Sequence, residues 1–230
     1  AKDPVTEKYA VLNFPVRKDN PYCIDLEETA ELLERFDPEL IILGKSMILH
    51  PEPVAAIRKL LDVKSSRPLL LYDMAHVIGL IGQHFQDPFG EGADIVTGAT
   101  HKTLFGSQRG IIGAIFEEET PEFELWKAIQ RRTFPGAVSN HHLGTLLGML
   151  MAALEINAFK DTYQPQVLAN ARAFAQALAD EGLEVQGDPE LGYTETHQVV
   201  VVVGYAQGCE VAKELEESNI IVNYQAIPSD

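Results

Sequence analysis

The sequence predicts an α/β fold with a mainly parallel β-sheet. Short, continuous apolar runs alternate with stretches of helical periodicity through the first half of the chain. That alternation is typical of buried parallel strands whose two faces are covered by helices. The chain has 230 residues, of which 46% are hydrophobic. This suffices for a substantial core in one large domain or in one and a half small ones.

The elements of the first half follow from periodicity and from capping signals. We expect one helix over 26–36 with Asp25 as its N-cap, and a second over 53–61 with proline in its first turn. The apolar runs predict strands over 40–44, 69–72, 94–97 and 110–116. In sheets of this kind ligands bind beyond the carboxyl ends of the strands. The residues that directly follow these runs are therefore candidate site residues.

The sequence predicts mainly helices in the second half of the chain, followed by a smaller unit. Helical periodicity covers 123–132, 143–157 and 162–181. The stretch 143–154 is apolar nearly all round, which predicts a buried core helix. The smaller unit is expected to contain strands over 183–185, 199–203 and 220–222 and a helix over 209–218. We predict a large domain over 1–157, a connecting helix over 158–182, and the beginning of a small domain over 183–230.

Composition excludes several classes of function. The formal net charge of -16 favours solubility and argues against a nucleic-acid or anionic-membrane partner. The sequence contains no run of 18 apolar residues, so we expect no membrane-spanning helix. Residues 1–4 do not form a signal-peptide pattern. Cys23 and Cys209 are far apart and are interpreted as reduced cytosolic thiols. We expect no metal site, because the adjacent His141 and His142 would point in different directions on a helix.

Two clusters of polar residues after buried strands carry the main functional signal. The run that ends at Tyr72 is followed by Asp73 and, three residues on, by His76; Lys102 follows the next strand. A lysine that forms a Schiff base and an acid that keeps a pyridine nitrogen protonated are the groups that hold pyridoxal phosphate. Each residue also has a structural alternative: the acid as a helix cap, the histidine as a core or surface residue, the lysine as a solvated side chain.

Four motifs in order resemble the serine hydroxymethyltransferase family and its close fold-type I relatives. DMAHVIGL begins at Asp73, THKTLFG begins at Thr100 and is followed by Arg109-Gly110, and FPG ends at Gly136. The segment 222–230 resembles the family's late V-N-x-x-x-(V/I)-P-x-D sequence. The resemblance covers nearly the whole chain. It implies the fold of a pyridoxal-phosphate-dependent transferase of the aspartate aminotransferase type, with part of its smaller α+β domain.

The resemblance also implies roles for individual residues. Lys102 would bind the cofactor covalently, Asp73 would pair with the pyridine nitrogen, and His76 would contact the cofactor ring or its phenolic oxygen. His101 would lie beside the lysine and assist in proton transfer. The other implied cofactor-binding residues are Ser46, Thr100, Arg109 and Gly136, the last reaching the cofactor of a neighbouring subunit. Ser46 and Gly136 have the alternative of being simple turn residues.

The chain departs from the family pattern in three respects. Ala99 stands where the family commonly has threonine, and the turn 106–109 is one residue longer than the commonest version. The family's chains are also roughly twice as long, with a phosphate-binding loop, a ring-stacking residue and a catalytic Glu and Tyr upstream of Ala1 and a substrate-binding arginine beyond Asp230. We therefore expect an internal piece of the enzyme, inactive by itself.

The implied activity is interconversion of serine and glycine with tetrahydrofolate as the one-carbon acceptor. No motif identifies a folate site, and Ala99 leaves open a folate-independent aldolase or transaldolase, or an α-methylserine-type relative. A different class of function is a non-catalytic dimerisation fragment. The family builds its site across a two-fold interface, so we expect a homodimer or a dimer of dimers in the cytoplasm.

Overall fold

The computed structural model describes residues 11–140 and 142–228. The predictions that concern residues 1–10, His141 and Asp230 lie outside the described residues. Within them the chain forms a four-stranded sheet with helices packed around it. The strands are β1 (Leu40–Leu43), β2 (Leu69–Asp73), β3 (Ile95–Ala99) and β4 (Gly110–Ala114). The predicted α/β class with a mainly parallel sheet is confirmed.

The sheet has the order β1-β2-β3-β4, and its first three strands run parallel. Leu43 pairs with Tyr72, and Asp73 pairs with Thr97, so the carboxyl ends of β1 and β2 and the last residues of β3 share one edge. The strand β4 is antiparallel to β3 because a ten-residue loop, 100–109, joins them directly. This loop begins at the edge where the candidate residues lie.

Two helices pack on the sheet early in the chain. Helix α1 spans Leu26–Arg35, and the Asp25 side chain accepts hydrogen bonds from the backbone N–H groups of Glu27 and Glu28, as an N-cap does. Helix α2 spans Val54–Asp62. Residues from these helices, from the strands and from the fourth helix form one buried cluster. It includes Leu33, Ile41, Leu43, Val54, Ile57, Leu61, Leu70, Tyr72, Val77, Val96 and Leu168.

Helix α3 spans Pro121–Arg131, and an irregular turn over 132–137 follows it. Helix α4 then runs without a break over Leu143–Asp180, where the sequence predicted two helices. The prediction that 143–154 is a buried core helix is wrong. In this stretch only Ala152 is buried. The other buried residues of α4 are Gln164, Leu168, Ala171 and Ala175, so it is the second half of the helix that packs on the core.

The exposed part of α4 is strongly apolar. Its leucine and methionine side chains recur three or four residues apart, which places them on one face of the helix. We call this set the α4 apolar face: Leu143, Leu146, Leu147, Leu150, Met151 and Leu154. By length and composition alone α4 also meets the criteria for a helix that crosses a membrane, and only 6% of its most apolar window is buried.

The last part of the chain contains less regular structure than its sequence predicts. Helix α5 spans Gly208–Glu217, close to the predicted bounds. The predicted strands over 183–185 and 199–203 are reduced to one antiparallel bridge between Val185 and Val201, and 220–222 is not a strand. Apolar β-branched runs become strands only where pairing with a neighbour continues along them. In the described part of the chain, the pairing of these runs is limited to the bridge and to two backbone hydrogen bonds beside it, from Gln186 to Val200 and from Val202 to Glu184.

Candidate functional site

Two of the predicted site residues, Lys102 and His76, are in direct side-chain contact. Lys102 lies in the loop after β3 and His76 in the turn after β2, and these two strands are neighbours in the sheet. The Nζ atom of Lys102 is 2.7 Å from Nε2 of His76. Both side chains are half-buried. The contact therefore brings together two of the predicted residues that are 26 positions apart in the sequence.

Asp73 is the last residue of β2 and its side chain is exposed. Its Oδ1 atom accepts a hydrogen bond from the backbone N–H of Ala75 at 2.9 Å. Among the described residues, Oδ2 has no hydrogen-bond partner. Gly44, directly after β1, passes so close that an added Cβ would lie 2.2 Å from the carbonyl oxygen of Asp73. Glycine at this position therefore allows β1 and β2 to end side by side.

The loop that carries Lys102 is fastened to the turn that carries His76. The Thr103 hydroxyl donates to the carbonyl oxygen of His76 at 3.1 Å and accepts from the backbone N–H of Gly79 at 3.0 Å. An added Cβ at Gly79 would lie 2.0 Å from the Thr103 carbonyl oxygen. The buried Gln164 of α4 donates to the Gly79 carbonyl oxygen at 2.9 Å. These contacts hold both segments, so the lysine and the histidine meet.

Thr100 closes the other end of the same loop. Its buried hydroxyl lies 2.6 Å from the carbonyl oxygen of Ser107 and 3.0 Å from that of Arg109, and it accepts from the Arg109 backbone N–H. The Arg109 guanidinium donates to the Thr145 hydroxyl and to the His142 carbonyl oxygen at the start of α4. The structure thus gives Thr100 a role in loop closure and places Arg109 against α4.

The remaining predicted residues are exposed. His101 precedes the lysine and points to no partner among the described residues, and Ser46 lies in the turn after β1. The Ser46 carbonyl oxygen, rather than its hydroxyl, is engaged in a hydrogen bond. Gly136 lies in the exposed turn after α3, next to the carbonyl oxygen of Arg131. Of the predicted set, the structure therefore brings His76 and Lys102 into contact and places Asp73 at the same edge of the sheet.

Two residues at this site were missed by sequence reasoning. The Nε2 atom of Gln198 is 3.5 Å from Nδ1 of His76. The neighbouring His197 buries its Nδ1 without a hydrogen-bond partner among the described residues. Both precede the apolar run that begins at Val199, and a polar pair before such a run was the available signal. Nothing in one sequence connects positions 198 and 76.

The electrostatics favour neutral imidazoles at this site. Burial and then the Lys102 charge lower the pKa of His76 below its usual value, while Asp73 acts in the opposite direction. Burial and then His76 lower the pKa of His197 to about 4. Near neutral pH each ring therefore has one nitrogen that donates and one that accepts a hydrogen bond. In the described part of the chain no group of three or more His, Cys, Asp or Glu side chains could hold a metal ion.

Comparison with known proteins identifies the relatives of this chain. Residues 3–230 match the family model of serine hydroxymethyltransferase. The chain is 44% identical over 222 residues to serine hydroxymethyltransferase of Archaeoglobus fulgidus, which is 96% of this chain and 48% of that protein. For the Korarchaeum cryptofilum enzyme of the same name, the identity is 45% over 217 residues, with 92% and 47% covered.

A solved structure also matches. It is L-threonine transaldolase from Pseudomonas fluorescens in its internal aldimine state, with a TM-score of 0.84 and 34% sequence identity. The match covers 94% of this chain and 48% of that one. The chain thus spans about half the length of the relatives that it matches.

Proposed function

Because the chain belongs to the serine hydroxymethyltransferase family, we propose that the intact protein is a pyridoxal-phosphate-dependent enzyme that transfers the hydroxymethyl group of serine to tetrahydrofolate. The observation that carries the proposal is the contact of Lys102 with His76 at the sheet edge where Asp73 ends β2. Ligands of open α/β sheets bind at such an edge. The serine hydroxymethyltransferase homologues support this reaction. The positions of Lys102, His76 and Asp73 support pyridoxal phosphate as the cofactor.

The residues present fit the cofactor in two respects. The Lys102 amine contacts an imidazole and, among the described residues, no carboxylate, so it is available for covalent attachment to an aldehyde. Asp73 uses one carboxylate oxygen to cap the turn, while the other has no partner among the described residues. An exposed carboxylate at a strand end suits a protonated pyridine nitrogen, because a hydrogen bond between charged groups is stronger than a neutral one.

Each side chain would contribute to holding the cofactor and the substrate. When bound, pyridoxal phosphate supplies an electron sink for the bond that breaks at the α carbon of an amino acid. Lys102 would hold the cofactor through Nζ and afterwards accept a proton there. Asp73 would accept the hydrogen bond of the ring nitrogen and keep that nitrogen protonated. His76 would donate a hydrogen bond from its ring, and His101 would carry a proton beside the lysine.

The other predicted residues would bind the periphery of the cofactor. Arg109 makes two hydrogen bonds to the start of α4 through Nε and Nη2, and its Nη1, which has no partner among the described residues, would face the phosphate. Ser46 would act near the substrate carboxylate and Thr100 would shape the loop around the lysine. Gly136 would approach the cofactor of a neighbouring subunit, and its exposure in the turn after α3 supports this.

A homodimer is the assembly that we propose. The α4 apolar face exposes six large side chains in one stripe, and exposed apolar patches of this kind mark protein–protein interfaces. The same helix start holds Arg109, so the apolar face lies near the phosphate side of the site. We propose a cytoplasmic protein and a division into a large domain over 1–157, a connecting helix over 158–182 and a small domain over 183–230.

A transaldolase activity is the second candidate. The resemblance to L-threonine transaldolase, 34% identical with a TM-score of 0.84, and the alanine at position 99 favour it. Such an enzyme would cleave threonine, release the two-carbon aldehyde and join the remaining glycine unit to an acceptor aldehyde. The identities with the hydroxymethyltransferases, 44% and 45%, are higher, so the folate-dependent reaction is our conclusion.

The decisive experiment compares the two reactions in the intact protein loaded with pyridoxal phosphate. One assay follows glycine formation from L-serine with and without tetrahydrofolate, and the other follows transfer from L-threonine to an aldehyde acceptor. We expect rapid, folate-dependent glycine formation. Transfer from threonine that does not depend on folate would instead establish the transaldolase. If the intact protein bound no cofactor, the hypothesis of a non-catalytic dimerisation fragment would remain.

A further inference from the structure

Residues 105–107 of the loop between β3 and β4 lie against helix α4. The ring of Phe105 contacts the ring of Tyr163 edge to face, with 5.8 Å between the centroids and 79° between the planes. Two residues later in the loop, the Ser107 hydroxyl donates to the carbonyl oxygen of Thr145 at 2.8 Å. The loop therefore runs alongside α4 in the opposite direction to the helix. We call residues 105–107 the α4 anchor.

The α4 anchor is joined to Lys102 by a tight turn. The backbone N–H of Phe105 donates to the Lys102 carbonyl oxygen at 3.1 Å, and that of Gly106 donates to the Thr100 carbonyl oxygen at 2.7 Å. Phe105 has a φ of 57°, in the left-handed region that bulky side chains rarely adopt. Such a backbone persists only where its surroundings hold it, and the ring contact with Tyr163 does so here. A shift of the anchor would therefore also move Lys102.

The same helix holds the end of the loop. The Arg109 guanidinium donates to the Thr145 hydroxyl at 2.9 Å and to the His142 carbonyl oxygen at 2.6 Å. Between these contacts and the aromatic pair, an added Cβ at Gly106 would lie 3.5 Å from the Cβ of the buried Ala152. Helix α4 therefore supports the loop at each level from its anchor to Arg109.

Glycine at position 148 allows the Ser107 hydroxyl to reach α4. An added Cβ at Gly148 would collide with the Ser107 hydroxyl oxygen. The hydroxyl would have to rotate away and lose its hydrogen bond to Thr145. Gly144 lies about one helical turn earlier, and an added Cβ there would meet nothing within 4 Å. Because glycine is unfavourable inside any helix, packing explains the glycine at 148 but not the glycine at 144.

We propose that Ser107 is a positioning residue whose hydroxyl, seated in the gap that glycine leaves at position 148, fixes the α4 anchor and thereby the position of Lys102. The consequence for the cofactor rests on the proposed function, whereas the contact itself does not. Attachment is a condensation of the Lys102 amine with an aldehyde, which releases water. It is fastest when the amine is held close to the carbonyl carbon, so a released anchor should slow it.

A double-mutant cycle in the intact, cofactor-free protein tests the contact. Gly144→Ala should raise the thermal unfolding midpoint by about 2–4 °C, because alanine is the better helix former. Gly148→Ala should give little of this gain, since the Ser107 hydroxyl must move. In the Ser107→Ala background the collision is absent, so Gly148→Ala should then stabilise as much as Gly144→Ala does. Equal gains from Gly148→Ala with and without the Ser107 hydroxyl would overturn the proposal.

Hydrogen exchange measures whether the α4 anchor is released. The Gly106 amide, which donates to the Thr100 carbonyl oxygen, should exchange several-fold faster in Gly148→Ala and in Ser107→Ala than in Gly144→Ala. Ser107→Ala removes the hydroxyl without adding any atom, so it serves if Gly148→Ala does not fold. An unchanged exchange rate in Ser107→Ala would show that the hydroxyl does not fix the anchor, and the proposal would fail.

A third readout separates this inference from the proposed function. Pyridoxal phosphate is added to the cofactor-free protein, and attachment at Lys102 is trapped with borohydride at successive times. Ser107→Ala and Gly148→Ala should attach it roughly fivefold more slowly, the equivalent of one hydrogen bond, and Gly144→Ala at the normal rate. Samples of equal mass by light scattering are compared, so that assembly cannot cause a difference.

The outcomes of this readout point to different errors. The expected cycle and exchange rates, without any attachment in the unaltered protein, would contradict only the proposed function. A normal attachment rate in Ser107→Ala, despite faster exchange in the loop, would contradict the positioning role of Ser107.

Discussion

At the scale of single residues, the contact between Lys102 Nζ and His76 Nε2 defines the candidate site. It exists because Thr103 and Gly79 join the two segments that carry these side chains. Asp73 stands apart from this contact but belongs to the same sheet edge. The three residues differ in their chemistry. The Lys102 amine can attack an aldehyde, the His76 ring can donate or accept a hydrogen bond, and the Asp73 carboxylate can stabilise a cation. Two predictions separate these roles.

The first prediction concerns Lys102. In Lys102→Ala the intact protein should lose covalent attachment of pyridoxal phosphate, and turnover should fall by several orders of magnitude because the attacking amine is gone. Borohydride reduction followed by mass spectrometry of the peptides measures attachment directly. Lys59→Ala removes an exposed lysine of α2 and should behave as the unaltered protein. A cofactor adduct that persists in Lys102→Ala would contradict the assignment of Lys102 as the residue that binds the cofactor covalently.

The second prediction concerns Asp73. Asp73→Asn is nearly isosteric, and the amide oxygen can still accept from the Ala75 N–H, so the thermal unfolding midpoint should hardly change. Turnover at saturating cofactor should fall about a hundredfold or more, because the ring nitrogen loses its anionic partner. The matched control is Asp87→Asn, where the carboxylate also caps a turn by accepting from a backbone N–H, that of Gly90. Full activity in Asp73→Asn would refute the role.

At the scale of elements, helix α4 does more than connect the two halves of the chain. Its second half packs on the core through Gln164, Leu168, Ala171 and Ala175, whereas its first half exposes the α4 apolar face. Gln164 also holds the Gly79 turn beneath the candidate site, and Arg109 is bound at the helix start. Helix α4 therefore connects the α4 apolar face, which suits a partner subunit, with the Gly79 turn and with Arg109.

The third prediction tests this surface. Leu147→Glu combined with Leu150→Glu should convert the intact protein from a dimer to a monomer at micromolar concentration, because charges in an apolar interface are costly to desolvate. Light scattering with cofactor present gives the mass. Val63→Glu changes an isolated apolar residue, 86% exposed at the end of α2, and should leave the dimer intact. An unaltered protein that is monomeric, or that is found only in membranes, would contradict the proposed dimer.

At the scale of the whole molecule, the late segment 194–198 is hydrogen-bonded to the segment that follows β1. Thr194, Thr196 and Gln198 make hydrogen bonds to the backbone of residues 46–49, about 150 positions earlier. His50 adds a contact from Nδ1 to a carboxylate oxygen of Glu195 at 3.0 Å. Since these groups are largely buried, the late part of the chain should unfold together with the sheet.

The fourth prediction measures this coupling. Thr196→Val keeps the size and shape of the side chain but leaves the buried Ile48 carbonyl oxygen without its donor. The free energy of unfolding should fall by about 1–3 kcal/mol. Thr162→Val removes an exposed hydroxyl that bonds to a carbonyl within α4 and should cost less than about 0.5 kcal/mol. Urea unfolding of both variants, with one transition expected by fluorescence and circular dichroism, provides the comparison. Equal stability of the two variants would contradict the coupling.

The sequence by itself determined the class of the fold, the four strands within about two residues of their bounds, and the strand ends at which Asp73, His76 and Lys102 lie. These features depend on local signals, because an apolar run and a cap act over a few neighbouring residues. The motifs also sufficed to identify the family, which the comparisons confirmed.

Only the tertiary structure decided what depends on distant contacts. The apolar stretch at the start of α4 is exposed, since periodicity shows that a helix is apolar but not which surface covers it. Within the described residues, the run 199–203 pairs with its neighbour only around the bridge between Val185 and Val201, so it does not extend into a strand. Gln198 reaches His76 because buried threonines hold two segments together that are far apart in the chain. Local sequence signals thus located the candidate residues, and long-range packing determined which distant groups contact them.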